Sequence, residues 1–229
     1  MLILAFETSA KAASVALMKD GVLLGESYQN TGLTHSQTLL VMARDLLTQC
    51  GLEVSDVTHV AVAEGPGSFT GIRIGVAAAK GLSWGGQKPL CGVSTLHAMA
   101  LSLGAWEGIV CPVMDARRNQ VYNALFRARG GELTRLVPDR AISLEDLGKE
   151  LQALEGPVFL VGDGSLITHK ALPDTVLPPE HRRHQRASGV ALAAAEKIAG
   201  GESCDGGALV PNYLRLSQAE RERLERQQK

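Results

Sequence analysis

Two acidic side chains stand at the ends of apolar runs, where they could act on a ligand. Residues 2–6 are continuously apolar and are followed by Glu7, and the apolar run that starts at residue 109 ends at Asp115. Runs of this length predict central strands that are covered on both faces of a sheet. Carboxylates at the ends of such strands suit Mg²⁺ and the phosphates that it accompanies. The first chemistry to consider is therefore that of a nucleotide phosphate.

The residues after each acid argue against a working phosphate loop. Such loops place glycines and a hydroxyl after the acid, because backbone N–H groups must approach the phosphate oxygens closely. The first loop keeps the hydroxyls of Thr8 and Ser9 but has no glycine in residues 7–13. The second places Arg117 and Arg118 where small residues are expected. Either loop could hold an anion, but neither predicts intact ATPase machinery.

A third segment, Val-Gly-Asp-Gly-Ser at residues 161–165, lies between a predicted strand and a predicted helix. Its glycines could meet an adenosine, but an ordinary strand-to-helix turn would need the same residues. The candidate nucleotide or anion cleft therefore comprises Glu7, Thr8, Ser9, Asp115, Gly162 and Gly164. We assign no catalytic residue and no metal ligand.

The most distinctive segment is Gly-Pro-Gly-Ser-Phe-Thr-Gly-Ile-Arg-Ile-Gly at residues 65–75. It joins a predicted strand to a predicted helix, so its amides could form an anion nest at the helix N-terminus. A Walker A loop would carry a lysine after its last glycine, whereas this segment has Ile72 and Arg73 after Gly71. Because Gly71 and Gly75 would let another backbone approach closely, we expect packing rather than ligand binding.

Hydrophobic periodicity predicts the same order of elements twice, which indicates an internal duplication. The first half is predicted to have strands at 2–6, 14–18, 22–28, 59–63 and 89–93 and helices at 35–49, 70–84 and 95–103. The second half is predicted to have strands at 109–115, 120–126, 132–137 and 158–161 and helices at 143–154 and 188–199. This order predicts an α/β protein of the actin-like ATPase (ASKHA) fold, with two ribonuclease H-like βββαβα units of which the second is abbreviated. The units would span residues 1–104 and 105–215, followed by a helical tail at 216–229.

Composition limits the classes of function. The 229 residues carry 23 basic and 24 acidic side chains, a net charge of −1, so no overall positive field attracts nucleic acid. No apolar run reaches the roughly 18 residues of a membrane span, and the N-terminus lacks the basic residues of a signal peptide. The four cysteines have neither a Cys-x-x-Cys pair nor zinc spacing, so we expect reduced thiols in a cytosolic protein.

Five segments form a recognisable set: Phe-Glu-Thr-Ser at 6–9, the glycine-rich segment at 65–75, Gly-Val-Ser-Thr-Leu at 92–96, Asp-Ala-Arg at 115–117 and Pro-Asn-Tyr-Leu-Arg at 211–215. Together they closely resemble the bacterial TsaB family, also called YeaZ, and the resemblance runs the length of the chain. It implies an actin-like fold and a role in making threonylcarbamoyladenosine. That modified base lies next to the anticodon in tRNAs that read codons beginning with A.

The resemblance also implies a subunit rather than an enzyme. In the family's pathway TsaD transfers the threonylcarbamoyl group to tRNA, TsaB binds TsaD as a heterodimer, and the ATPase TsaE binds the pair. TsaD has two metal-binding histidines at i and i+4, and this sequence has Thr95 and Met99 at the matching positions. The resemblance thus implies a non-catalytic chain that activates TsaD and meets tRNA through the complex. It implies no intrinsic cofactor, with ATP or ADP only at the complex interface.

The helices predicted at 35–49 and 70–84 carry more apolar residues than one sheet face needs. In the family these helices meet their counterparts on TsaD in a helical bundle, and they can also form a homodimer. The expected partner interface comprises Leu39, Met42, Ala43, Leu46, Ile74, Ala77, Ala78 and Gly81. The alternative is that these residues only fill the core.

Two rival functions are open at this point. An active ATPase or kinase of the same fold would show magnesium-dependent turnover that Glu7→Ala or Asp115→Ala abolishes. A peptidase is disfavoured, because the sequence offers no metal pair and no Ser-His-Asp set that can be placed. The basic segment at 181–186 could contact tRNA or be a solvated loop, and the tail at 216–229 is expected to be a surface helix.

Overall fold

Two mixed β-sheets form the frame of the protein. A computed structural model describes residues 1–104, 106–202 and 204–215, and within these ranges the chain forms nine strands. They are β1 (Leu2–Glu7), β2 (Ala13–Lys19), β3 (Val22–Gln29), β4 (His59–Gly65), β5 (Leu90–Ser94), β6 (Gly108–Asp115), β7 (Gln120–Arg129), β8 (Glu132–Ser143) and β9 (Val158–Val161). The first sheet has the order β3-β2-β1-β4-β5, and the second has the order β8-β7-β6-β9. The predicted tail at 216–229 lies outside the described residues.

The two sheets share one pairing pattern, as the predicted duplication requires. Strand β1 pairs antiparallel with β2 and parallel with β4, and β6 pairs antiparallel with β7 and parallel with β9. The apolar strands that end in Glu7 and Asp115 are therefore central in their sheets. Within the described residues the second sheet has no counterpart of β5, so the second unit is the shorter one.

The described ranges contain seven α-helices, which cover the sheets: α1 (His35–Gln49), α2 (Phe69–Gly86), α3 (Thr95–Leu103), α4 (Leu144–Gln152), α5 (Ser165–Ala171), α6 (Glu180–Arg183) and α7 (Ala187–Ala199). Helices α1 and α2 pack on one face of the first sheet. Helix α3 fills the space between the two sheets, and α4 covers the far face of the second. None of these helices is long and apolar enough to cross a membrane.

Helix α7 packs on the first sheet, although its residues follow those of the second unit. The facing surfaces consist of small side chains: Ala187, Ala191 and Ala194 on the helix and Ala5, Ala16 and Ala61 on the strands. Small residues on both sides allow a helix to lie close to a sheet. The carboxylate of Glu26 holds the helix start, because it accepts hydrogen bonds from the backbone N–H and hydroxyl of Ser188 (3.0 and 3.1 Å). The predicted boundary at residue 105 divides the chain by sequence order, whereas α7, which comes after that boundary, packs on the sheet of the first unit.

Strand β8 continues to Ser143 rather than ending at the predicted residue 137. The extension includes Pro138, which cannot donate to a strand ladder. Since β8 lies at the edge of the second sheet, a proline in it costs no pairing on the open side.

Two of the four cysteines are paired, so the prediction of four reduced thiols is wrong. A disulfide joins Cys91 of β5 to Cys204. Cys204 lies 113 residues later in the sequence, after the end of α7. The return of α7 to the first sheet brings Cys204 beside β5, where the two Cα atoms lie 4.4 Å apart. Cys50 and Cys111 are free. The pairing depends on a long-range contact that cysteine spacing does not reveal.

Glycine is required where α2 meets the loop after β1. A Cβ at Gly75 would lie 2.3 Å from Thr8 Oγ1, whereas a Cβ at Gly81 in the same helix would have no atom within 4 Å. We expect Gly75→Ala to lower the free energy of unfolding by about 1–3 kcal/mol, because the added methyl forces the packed segments apart. Gly81→Ala should raise it by about 0.5–1 kcal/mol through helix propensity. Urea denaturation of both variants tests this, and equal stability of the two would contradict it.

Candidate functional site

A cleft of about 410 Å³ opens where the loops after β1, β4 and β6 meet the C-terminal segment. Its lining mixes both signs of charge: Lys11, Asp115, Arg117, Asp163 and Arg215. Ser9 also lines it, as do the aromatic rings of Phe69, Tyr122 and Tyr213. The structure thus brings the ends of β1 and β6 to one cleft, as the positions of Glu7 and Asp115 predict.

Glu7 lies beneath the cleft and is 1% exposed. Its Oε1 accepts a hydrogen bond from the backbone N–H of Ser9 (2.5 Å), while its Oε2 has no protein partner. Burial, with a smaller contribution from the negative charge of Asp163, raises the pKa of Glu7 to about 7. The carboxyl is therefore divided between its neutral and charged forms near pH 7, unlike an ordinary phosphate-loop acid.

Asp115 is engaged by its own loop. Its Oδ1 accepts the backbone N–H of Arg117 at 2.7 Å, and its Oδ2 lies 3.3 Å from the guanidinium of the same residue. Arg117, Arg118 and Asn119 have left-handed backbones, with φ of 65°, 57° and 57°. A glycine would adopt this conformation without strain, whereas these side chains make it costly. The loop therefore has the shape of a glycine turn but carries two arginines, of which Arg117 lines the cleft.

The glycine-rich segment packs against the loop after β1. Thr8 Oγ1 donates to the carbonyl of Gly71 at 2.8 Å, and the backbone N–H of Ser68 donates to the carbonyl of Ser9 at 2.6 Å. A Cβ at Gly71 would lie 2.1 Å from the carbonyl oxygen of Thr8. One amide of the segment, that of Ser68, is thus bonded within the chain, and the close contact at Gly71 favours the packing interpretation.

The segment at 161–165 also serves packing. A Cβ at Gly162 would lie 2.2 Å from the carbonyl oxygen of Val113, and the N–H of Gly164 donates to the same carbonyl at 3.1 Å. Between them, Asp163 faces the cleft and accepts a hydrogen bond from Gln185 Nε2 at 3.1 Å. Desolvation, together with the charge of Asp115, raises the pKa of Asp163. Asp163 therefore belongs to the site, and the two predicted glycines position it.

The sequence analysis missed Lys11 and Arg215 as cleft residues. Arg215 ends the Pro-Asn-Tyr-Leu-Arg segment, and its guanidinium donates to the carbonyl of Ala116 at 2.5 Å. In the sequence analysis that segment serves only as one of the five that carry the family resemblance. Its position after α7 gave no indication that it returns to the cleft.

The two positions matched to metal-binding histidines are buried and do not form a metal site. Thr95 is fully buried, and Met99 lies in the core between α3 and the second sheet. His97 stacks on Phe126 with ring centroids 5.5 Å apart, and burial lowers its pKa to about 4, helped by the nearby Arg135. The His97 side chain is therefore neutral near pH 7 and packs on Phe126. In the ranges that the structure describes, no group of three or more His, Cys, Asp or Glu could hold a metal ion.

The basic segment at 181–186 is not simply a solvated loop. It contains the end of α6, and Arg183 is buried, with its carbonyl accepting the N–H of Gly162 at 2.5 Å. Arg186 pairs with Glu26 at 3.0 Å. Only His181 and Arg182 of this segment are fully exposed to solvent, so its basic surface is smaller than the sequence suggests.

Helix α1 turns part of the predicted interface toward the core. Leu39, Met42, Ala43 and Leu46 are buried against the first sheet. These four side chains are at most 6% exposed, so the interface prediction is corrected at α1, where only Ala43 borders the groove described below. Both stripes of the helix are apolar, and the sequence did not reveal which one faces the sheet. The exposed stripe contains Leu40 and Val41.

Helix α2 keeps its predicted residues at or near the surface. Ala77 and Gly81 are exposed, Ile74 and Ala78 are half-buried, and Trp84 is 65% exposed. Beside them, a groove of about 390 Å³ runs between α1 and α2 with a mainly apolar lining that includes Leu40, Ala43, Leu47, Leu52, Val54 and Leu82. We call the surface formed by Leu40, Val41, Ala77, Ala78 and Gly81, together with this groove, the α1–α2 face.

Comparisons with known proteins agree on one pathway. The family model described as "TsaD: tRNA N6-adenosine threonylcarbamoyltransferase" matches residues 29–222. The chain is 34% identical to the tRNA threonylcarbamoyladenosine biosynthesis protein TsaB of Bacillus subtilis, over 99% of this chain and 100% of that protein. The solved structure of YeaZ from Pseudomonas aeruginosa superposes with a TM-score of 0.76 at 28% identity, covering 93% of this chain and 99% of YeaZ.

A more distant likeness concerns the fold alone. Component A of (R)-2-hydroxyglutaryl-CoA dehydratase from Acidaminococcus fermentans has a TM-score of 0.53 at 12% identity, covering 87% of this chain and 99% of that one. With the two sheets described above, these likenesses confirm the predicted actin-like fold.

The buried carboxyl of Glu7 should make stability depend on pH. An unfolded glutamate ionises near 4.5, whereas folded Glu7 holds its proton until about 7, so its contribution to stability falls as pH rises between these values. Glu7→Gln should remove that fall and raise the free energy of unfolding at pH 8 by about 2–3 kcal/mol. Urea denaturation from pH 5 to pH 8 measures it.

The matched control is Asp115→Asn, because Asp115 is already paired with Arg117. This variant should keep the fall between pH 5 and pH 7. If Glu7→Gln retained the wild-type pH profile, the account of a destabilising buried carboxyl would be wrong.

Proposed function

The chain belongs to the TsaB family of tRNA threonylcarbamoyladenosine biosynthesis proteins, and on that premise we propose that it is a non-catalytic subunit that binds and activates TsaD. TsaD would carry out the threonylcarbamoyl transfer to the adenosine next to the anticodon, in tRNAs that read codons beginning with A. The chain would meet tRNA through the complex, to which TsaE also binds. Its work would lie in the cytoplasm.

The observation that carries the proposal is that both strand-end acids are engaged within the chain. Glu7 is buried and divided between protonation states, and Asp115 is held by Arg117. The backbone after Glu7 is bonded to the glycine-rich segment. A phosphate loop needs free backbone amides and a charged acid, so these features support a subunit without ATPase activity of its own.

The partner surface that fits this role is the α1–α2 face. TsaD is described by the same family model that matches residues 29–222, so it carries a related unit that can offer matching helices. Exposed apolar side chains and the small residues Ala77 and Gly81 would let two such helix pairs approach closely. The same face could also hold a homodimer when TsaD is absent.

The charges of the cleft give little support to a nucleotide site within the chain's described part. The cleft offers cations at Lys11, Arg117 and Arg215, but two of these already bond to Asp115 and to the carbonyl of Ala116. We therefore propose no intrinsic cofactor and place any ATP or ADP at the interface with TsaD.

Charge on the α1–α2 face should break the heterodimer without unfolding the chain. Leu40 is 52% exposed and Ala77 is exposed, so Leu40→Glu with Ala77→Glu should fold normally. Because the two carboxylates would be desolvated at the interface, we expect the affinity for TsaD to fall by on the order of a hundredfold or more. Isothermal titration calorimetry with purified TsaD measures the loss.

Leu166→Glu is the matched control, since Leu166 is equally exposed (52%) but lies on α5 of the second unit. It should bind TsaD with wild-type affinity. Unchanged binding by the double variant, with wild-type circular dichroism, would place the interface elsewhere.

A further inference from the structure

The last described segment of the chain, residues 204–215, crosses the first unit to the cleft, and we call it the C-terminal strap. It begins beside β5, where the backbone N–H of Leu90 donates to the carbonyl of Cys204 at 3.2 Å. Leu209 is then buried in the core beneath α2, and the N–H of Asn212 donates to the carbonyl of Glu64 at 2.7 Å. The strap thus contacts the first unit at Cys204, Leu209 and Asn212.

The end of the strap forms one wall of the cleft and touches both units. Tyr213 stacks on Phe69 with ring centroids 4.6 Å apart, and its hydroxyl accepts a hydrogen bond from Arg73 Nε at 2.9 Å. Arg215 donates to the carbonyl of Ala116 on the other side of the cleft. If the strap were released, the cleft would lose a wall and α2 would lose the ring stacked at its start.

The beginning of the strap is held covalently by the disulfide between Cys91 and Cys204. Disulfides are uncommon in cytosolic proteins, and those that form there are usually catalytic or redox-sensing. We propose that this pair is a redox-reversible clamp, which when closed holds the C-terminal strap on the first sheet and when reduced lets the strap leave the cleft. The inference rests on the cytoplasmic location given with the proposed function but not on the proposed partner.

The chemistry of the clamp is thiol–disulfide exchange with a small disulfide of the glutathione type. On closing, the two cysteine thiols lose two protons and two electrons and form one S–S bond, while the small disulfide is reduced to two thiols. On opening, two small thiols are oxidised to the small disulfide and both cysteines regain their protons. Both steps balance without a metal or a further oxidant.

Burial makes the two sulfurs unequal. Cys91 is fully buried in β5, whereas Cys204 is half-buried. An attacking thiolate therefore reaches Cys204 first and expels the Cys91 thiolate into an apolar environment, where a charged leaving group is disfavoured. Reduction should accordingly be slow while the strap is seated and fast once it lifts.

Closing the clamp should slow the opening of the strap. With the disulfide formed, the strap can leave the sheet only by pivoting about Cys204, so it reseats quickly. In the reduced protein the hydrogen bonds and packing described above retain it, and its start is tethered only through the chain that leads from α7. Local opening of this kind sets the exchange rate of backbone amides, among them that of Asn212.

The test is hydrogen–deuterium exchange of the full chain after equilibration with glutathione disulfide or with dithiothreitol. We expect strap peptides to exchange about tenfold faster in the reduced protein, while β1 and β2 peptides are unchanged. Intact mass after iodoacetamide treatment reports whether the bond is present. Cys204→Ser should exchange like the reduced wild type under both conditions.

Cys50→Ser is the matched control, because Cys50 is also half-buried but free, and it should keep the wild-type redox difference. The proposal is overturned if glutathione disulfide leaves both Cys91 and Cys204 open to alkylation. It is equally overturned if the bond forms and strap exchange stays the same. Should Cys204→Ser fail to fold, the two redox states of the wild type still decide.

Discussion

The close approach of two backbones, the loop after β1 and the glycine-rich segment at 65–75, is the constraint on which the rest of the structure depends. The backbone N–H of Ser68 donates to the carbonyl of Ser9, and the Thr8 hydroxyl donates to the carbonyl of Gly71, where a Cβ would not fit. This contact fixes where α2 begins and therefore how it lies beside α1. It also uses the backbone N–H of Ser68 within the chain. The same packing thus positions the helix that carries part of the α1–α2 face.

The charges of the cleft are consistent with that account. Glu7 is buried with one oxygen unpartnered, and Asp115 is bonded by the loop that follows it. Arg117, Arg118 and Asn119 keep a turn that glycine would adopt more readily. The chain therefore has the actin-like fold, while the residues that would contact a phosphate in that fold are bonded within the chain. The exposed surface, including the α1–α2 face, remains available for binding.

Much of the fold could be predicted from the sequence, because apolar runs and turns are local. The central strands that end in Glu7 and Asp115, the hairpins and α1 to α4 all follow from such patterns. The misses depend on contacts between distant residues. Helix α1 has two apolar stripes, so its own sequence does not show which stripe is buried. Leu39 and Leu46 are buried because their stripe packs against the first sheet. The disulfide of Cys91 and the placement of Arg215 follow from the return of α7, which no local pattern encodes.

The central claim is that the chain works by binding TsaD and not by turnover of its own. Light scattering across size-exclusion peaks tests it most directly, with the protein alone and mixed with TsaD from the same genome. The account predicts a stable one-to-one complex with TsaD and no ATP hydrolysis by the chain alone. Separate elution of the two proteins, even with ATP and TsaE present, would contradict it and return the cleft to consideration as an enzyme site.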